Sequence, residues 1–217
     1  MTQRPMHIET KLIHAGEPEP RIEGAVTLPV FQSSTFQYAG QDHYDALKYI
    51  RMNNTPNHVA LHQKLAALEN ADAALVTASG MAAITTTFLA LLSPGDHFLV
   101  QDCLYGGTLD FINSDFKTLG VSFDFVNGNE PDTWAGQLKP GTRAIYVETI
   151  TNPLMTVADL KSVVAFARKH GLISMIDNTF ASPINFRPAE WGFDLSLHSC
   201  TKYLNGHSDI VAGAVIG

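Results

Sequence analysis

The stretch RAIYVETITNPLMTVADLKSVVAFARKHGLISMIDNT, residues 143–179, decides the fold. Arg143–Glu148 reads as a buried strand, and Ala158–His170 as a helix that Gly171 closes as its C-cap. Leu172–Ile176 is a second apolar run of strand length, followed directly by Asp177-Asn178-Thr179. A strand, a helix and a strand in this order make a crossover unit, which joins parallel strands.

The same alternation extends in both directions. Upstream, His58–Asn70 has Leu61, Leu65 and Leu68 at helical spacing, and Ala73–Thr77 is a short apolar run. The turn Ala78-Ser79-Gly80 leads into a second apolar helix through Leu92. Phe98–Val100 and Val121–Val126 read as strands, with a helix over Thr108–Leu119 between them. Downstream, Asp194–Leu197 and Ala212–Ile216 complete the strands. The expected fold is therefore α/β, a mainly parallel sheet sandwiched by helices. Residues 1–57 carry Pro5, Pro18, Pro20, Pro29 and Pro56 and no long periodic pattern, so they read as an extended N-terminal arm before a domain at 58–217.

Composition limits the function classes. The 217 residues include 45% hydrophobic and 16% charged residues, a globular balance. A net charge of −7 with no basic block argues against nucleic acid as a partner. No apolar run is long enough to span a bilayer, so no membrane association is expected. Cys103 and Cys200 are too few for a disulfide framework, and a reducing, cytoplasmic setting is the expectation.

In open α/β sheets ligands collect at the carboxyl ends of the strands. Four groupings stand there. Ser79-Gly80-Met81 lies between a strand and a helix, where free N–H groups can receive a phosphate, although many α/β turns look the same. Tyr105-Gly106-Gly107 offers an aromatic that can stack on a flat ring, or simply a packing residue. Asp177 follows a buried strand and requires a partner; metal ligand, helix cap and cofactor anchor are all open. Ser199-Cys200-Thr201-Lys202 places two hydroxyls beside a lysine that can act as a nucleophile when its pKa falls. In this order the four supply what pyridoxal 5'-phosphate needs: a phosphate cradle, a stacking aromatic, an acid for the pyridine nitrogen and an imine-forming lysine.

Over essentially its whole length the chain resembles the Cys/Met-metabolism family of PLP-dependent enzymes, which includes cystathionine lyases, cystathionine γ-synthase, homoserine sulfhydrylases and methionine γ-lyase. The resemblance rests on 12–16 and 29–36 in the arm, Tyr49-Ile50-Arg51, Ser79-Gly80-Met81-Ala82-Ala83, Tyr105-Gly106-Gly107-Thr108, Glu148 to Pro153, Asp177-Asn178-Thr179 and Ser199 to Tyr203, in the family's order. It implies the large domain of a fold-type I PLP enzyme. Lys202 would be the Schiff-base lysine, Asp177 the partner of the pyridine nitrogen, and Tyr105 the stacking ring and a second catalytic group. Gly80 and Met81 would hold the phosphate by their N–H groups, with the hydroxyls of Ser199 and Thr201 beside them. Asn152 would lie near the phenolic oxygen and the substrate carboxylate. Tyr49 and Arg51 would reach the phosphate of a neighbouring subunit, so a homodimer or homotetramer with a shared active site is implied.

Two departures accompany the resemblance. The family's Asn-Pro-Thr after the arginine is here Asn54-Thr55-Pro56. The chain also stops in the apolar segment Ala212–Gly217, before the smaller C-terminal domain in which the family carries its substrate-carboxylate arginine, so a truncated chain is expected. The expected activity is transsulfuration of a small amino-acid substrate, a cystathionine β- or γ-lyase acting by elimination through the imine of Lys202. Cystathionine γ-synthase or homoserine sulfhydrylase, acting by γ-replacement, is the alternative, and a non-catalytic remnant is the alternative of another class. Gly107 weighs against methionine γ-lyase, where the family often has cysteine. His58 and His62, one helical turn apart, are a weak metal signal with no third ligand, and no metal is expected.

Overall fold

A computed structural model describes residues 6–217. Among them are seven strands: β1 (Ala74–Thr77), β2 (His97–Gln101), β3 (Ser122–Val126), β4 (Thr142–Glu148), β5 (Ile173–Asp177), β6 (Leu195–Ser199) and β7 (Gly213–Ile216). The helices are α1 (Ile8–His14), α2 (Pro56–Glu69), α3 (Gly80–Leu91), α4 (Gly106–Asp110), α5 (Pro131–Trp134), α6 (Leu160–His170), α7 (Ser182–Asn185) and α8 (Pro188–Trp191). The strands form one sheet in the order β1-β7-β6-β5-β4-β2-β3. β7 runs antiparallel to both of its neighbours, and the other pairs are parallel. All the expected strands are present, in a mainly parallel sheet between helical layers.

Alternation along the strands divides the core between the two faces. Phe98, Val100, Tyr146, Met175 and Leu197 point to one side and pack against Ile84 and Phe88 of α3. Leu99, Ile145, Val147 and Ile176 point to the other side, against Val163, Val164 and Ala167 of α6. Phe88 is fully buried and its ring meets Phe98, Phe116 and Tyr146 at centroid distances of 5.4, 5.8 and 5.0 Å. α6 has the ends expected of it: the Asp159 side chain accepts from Ser162 N, and Gly171 closes the helix at φ 65°.

The boundaries differ from expectation at informative places. Pro56 belongs to α2, where it occupies the first turn and costs the helix no hydrogen bond. α4 starts at Gly106 and continues as a π-helical stretch, Phe111–Phe116, in which the two terminal rings stack at 5.3 Å. Asp194 is not part of a strand. Its carboxylate accepts from Ser174 N and Ser174 Oγ, both at 2.7 Å, and so brackets the entry to β6, which runs on to Ser199. Residues before α2 are not uniformly loose, because Lys11 and Lys64 tie α1 to α2 through Ala67 O, Leu12 O and Ile13 O. Val26, Val30, Tyr38 and Tyr44, by contrast, are exposed. No helix of the described residues is long and apolar enough to cross a membrane.

Because Phe88 joins α3 to two strands and to the π-helical stretch, Phe88→Ala is expected to destabilise the protein by about 3–5 kcal/mol, read from the urea midpoint of unfolding.

Candidate active site

Six of the seven strands point the same way, and the segments that follow them converge on one cavity of about 250 Å³. It is lined by Ser79, Gly80 and Met81 after β1, by Tyr105 after β2, and by Glu148, Ile150 and Asn152 at the end of β4. Asp177, Thr179 and Phe180 come from β5, and Ser199, Thr201 and Lys202 from β6. Eight of the expected site residues, spread over more than 120 positions of sequence, therefore meet in one place. Tyr49 and Arg51 do not. They stand at the end of the arm, the guanidinium 4.8 Å from the Tyr49 ring centroid, outside the cavity of their own chain.

The anion end is built by α3. Ser79 is its N-cap and accepts from Ala82 N at 3.0 Å. The helix itself leaves the N–H groups of Gly80 and Met81 without partners. A Cβ on Gly80 would lie 2.6 Å from Ser199 Cβ and 2.9 Å from Ser199 Cα, so only glycine lets the start of α3 sit against the end of β6. This close approach brings the Ser199 side chain up to the helix N-terminus, where the dipole also favours negative charge. Thr201 is already engaged: its hydroxyl lies 3.2 Å from Ala212 O and 3.1 Å from Ala212 N, which fixes the loop that carries Lys202.

Asp177 ends β5 at the cavity floor. Burial pushes its pKa up, against hydrogen bonds from Thr179 that pull it down. One of these is from Thr179 N to Asp177 Oδ1, at 2.9 Å. The Thr179 hydroxyl also accepts from Ser199 N at 2.8 Å, so this residue links the ends of β5 and β6. Asp177 is not a helix cap, since α7 starts five residues later with Ala181 before it. Metal is equally unsupported as its partner, because among the described residues no three His, Cys, Asp or Glu side chains are grouped to hold an ion. His58 and His62 lie with ring centroids 6.2 Å apart, and burial lowers the pKa of His62. A buried carboxyl with its pKa raised, facing a cavity, calls for a cationic partner. A pyridinium nitrogen meets that need, and the Gly80 cradle meets the need of a phosphate, so the residues present fit pyridoxal 5'-phosphate.

A profile described as the Cys/Met metabolism PLP-dependent enzyme family matches residues 9–217. The chain belongs to that family. It is 44% identical to a probable cystathionine gamma-synthase of Herpetosiphon aurantiacus over 95% of its own length and 64% of that protein's. It is 39% identical to the cystathionine beta-lyase MetC of Bacillus subtilis (strain 168), over 98% of this chain and 54% of the relative. Among solved structures, a cystathionine gamma-lyase from Lactobacillus plantarum complexed with L-serine superimposes with a TM-score of 0.90 at 39% identity, covering 97% of this chain and 55% of that one. The chain thus spans between about half and two thirds of the length of these relatives.

Several lining residues of the cavity were not singled out as site residues from sequence, and two of them make hydrogen bonds that organise it. Thr179 is one. Glu148 is the other: its residue is 4% exposed, and Glu148 Oε1 accepts from Tyr105 N at 2.6 Å while Oε2 accepts from Asn152 N at 3.0 Å. Burial, chiefly, with the charge of Asp177 added, raises the pKa of Glu148 to about 7 despite those two hydrogen bonds. The rule that drew notice to Asp177, an acid at the end of a buried strand, applies to Glu148 as well.

A folded-state pKa above the unfolded value means that the stabilisation accompanying the protonated carboxyl is complete below the unfolded pKa and lost as pH rises through the folded one. For Glu148 the window runs from 4.5 to about 7, and the whole displacement corresponds to at most about 3 kcal/mol. Asp177 acts in the same direction. The urea midpoint of the cofactor-free protein is therefore expected to fall more steeply between pH 5 and 7 in the wild type than in Glu148→Gln.

Proposed function

We propose that this chain is the cofactor-holding part of a transsulfuration enzyme, in which Lys202 binds pyridoxal 5'-phosphate and an elimination on cystathionine follows. The observation that carries the reading is the convergence of Gly80, Met81, Tyr105, Asn152, Asp177, Ser199, Thr201 and Lys202 on one cavity. When bound, the cofactor supplies an aldehyde for imine formation and a cationic ring that accepts electron density from Cα.

The protein's own groups then have separable tasks. Gly80 N and Met81 N, with the Ser199 hydroxyl, hold the phosphate at the start of α3. Thr201 steadies the loop that carries the lysine. Asp177 Oδ keeps the proton on the ring nitrogen; the cation, in turn, offsets the burial that raises the carboxyl's own pKa. The Tyr105 ring covers the flat face of the cofactor, and its hydroxyl is available for proton transfer. Lys202 Nζ would hold the cofactor's aldehyde carbon and, when free, would serve as the base for the Cα proton. A base at this position would serve β-elimination and, with a further proton removal at Cβ, γ-chemistry.

A γ-replacement reading has its own support, since the relative that is 44% identical is a probable cystathionine gamma-synthase. Gly107 weighs against methionine γ-lyase. A Cβ at Gly107 would lie 2.7 Å from Tyr105 Cε1 and 3.2 Å from Met81 Sδ, so a side chain there requires the tyrosine ring to move. The reading extends to a cytoplasmic homodimer or homotetramer in which Tyr49 and Arg51 serve a neighbouring subunit. Their position outside their own cavity and the exposed apolar residues of the arm support this.

Protein loaded with pyridoxal phosphate is expected to be yellow and to lose that absorbance on borohydride reduction, with the added mass on Lys202. Lys202→Ala should give no reducible adduct at that position. A colourless wild type that stays colourless with added cofactor overturns the reading. Product analysis separates the two activities: pyruvate or 2-oxobutyrate from cystathionine marks a lyase, and new cystathionine from an acylhomoserine plus cysteine marks a synthase.

A further inference from the structure

The end of β4 carries a carboxylate that does more than line the cavity. Glu148 Oε1 and Oε2 accept from two backbone N–H groups that are remote from each other in sequence, Tyr105 N at the entry to α4 and Asn152 N in the turn after β4. Glu148 is itself fixed from behind, because its own N–H donates to Gln101 Oε1 at 2.9 Å, and Gln101 is 2% exposed. The two segments it joins carry the ring proposed to stack on the cofactor and the amide proposed to reach its phenolic oxygen.

We infer that Glu148 is a positioning residue, a two-armed clamp that sets the Tyr105 and Asn152 segments at the spacing the cofactor requires. This rests on the reading of the cavity as a pyridoxal phosphate site. A carboxylate is the only side chain that accepts from both N–H groups at once with equal strength. An amide of the same shape has one acceptor, and its NH2 faces the second N–H group. A protonated carboxyl is a weaker version of the same mismatch. The charged and titratable groups around the clamp are Asp177 on the adjacent strand, Tyr146 two residues back on β4, and Tyr105 and Lys202 on the cavity wall. Burial keeps the Tyr146 phenol neutral. Asp177 is the charged neighbour that opposes ionisation of Glu148, and a cation bound at Asp177 relieves that opposition. Loading the cavity and closing the clamp therefore favour each other.

The test compares wild type, Glu148→Gln and Glu148→Asp by titration with pyridoxal phosphate, following visible absorbance and the visible circular dichroism that reports ring orientation. Thermal unfolding of each cofactor-free protein is recorded alongside. The clamp predicts at least tenfold weaker cofactor binding and altered visible dichroism in Glu148→Gln, with the cofactor-free unfolding temperature within a few degrees of wild type. Glu148→Asp keeps the charge but shortens the reach, and is expected to weaken binding at least threefold. Wild-type affinity in both variants overturns the inference, as does a loss of affinity matched by general loss of the cofactor-free fold. If Glu148→Gln does not fold, an unchanged affinity in Glu148→Asp is sufficient to overturn it. A wild type that does not bind pyridoxal phosphate instead overturns the proposed function.

Discussion

Glu148 and Asp177 lie opposite each other in the parallel register of β4 and β5, two carboxyl groups on one face at the same edge of the sheet. Glu148 is buried and Asp177 half-buried, burial raises the pKa of both, and the charge of Asp177 adds to the cost of ionising Glu148. A fold does not keep such a pair for stability, because hydrophobic residues at the same positions would cost less. What surrounds the pair divides its labour. Glu148 is satisfied by two backbone donors, whereas Asp177 has only the Thr179 segment and an open cavity before it. One carboxyl is thus committed to the protein and the other remains available to a ligand.

The same edge also receives the start of α3, proposed to hold the phosphate, and sheet order brings it there. β7 is inserted antiparallel between β1 and β6, so β1, far away in sequence, reaches the same end of the sheet as β6. α3 begins there, and its contact with Ser199 is limited by backbone thickness, since even a methyl group on Gly80 collides with the Ser199 Cα. Gly213 at the start of β7 is under a similar limit, with a Cβ 2.1 Å from Ser79 O. The cradle proposed for the phosphate is therefore formed by three segments packed at glycine distance, and is held by the sheet rather than by a flexible loop.

Much of this was legible in the sequence, for a physical reason. Strands buried on both faces appear as unbroken apolar runs, so Arg143–Glu148 and Leu172–Ile176 declare themselves, and the Asp159 and Gly171 ends of α6 are local chemistry. The groups after each strand could be proposed because parallel strands all deliver their ends to one side. Less legible were features decided across the chain. That β7 is the antiparallel strand depends on pairing partners 136 or more residues away for β1, and nothing in Ala212–Ile216 indicates direction. Asp194 resembled a strand residue until its contact with Ser174 gave it another role. The clamp at Glu148 was hidden because its partners are backbone N–H groups, which carry no residue signature.

The arrangement also explains why the site tolerates being assembled from distant segments. Four polar side chains at the edge are held by the chain next to them: Ser79 by Ala82 N, Asp177 by Thr179 N, Thr201 by Ala212, Glu148 by Tyr105 N and Asn152 N. The ordering entropy of these groups is thus met on folding and is not charged again to binding. Lys202 is not one of them. It is exposed at the cavity wall, on the long connection between β6 and β7, with only its backbone fixed, by hydrogen bonds to Ser199 O and from Gly206 N. The role proposed for Lys202, to hold the cofactor, let go, move a proton and return, needs such freedom at its side chain and a fixed base beneath it. The rigidity of the other groups is what makes that freedom usable, because the lysine moves against a frame that does not.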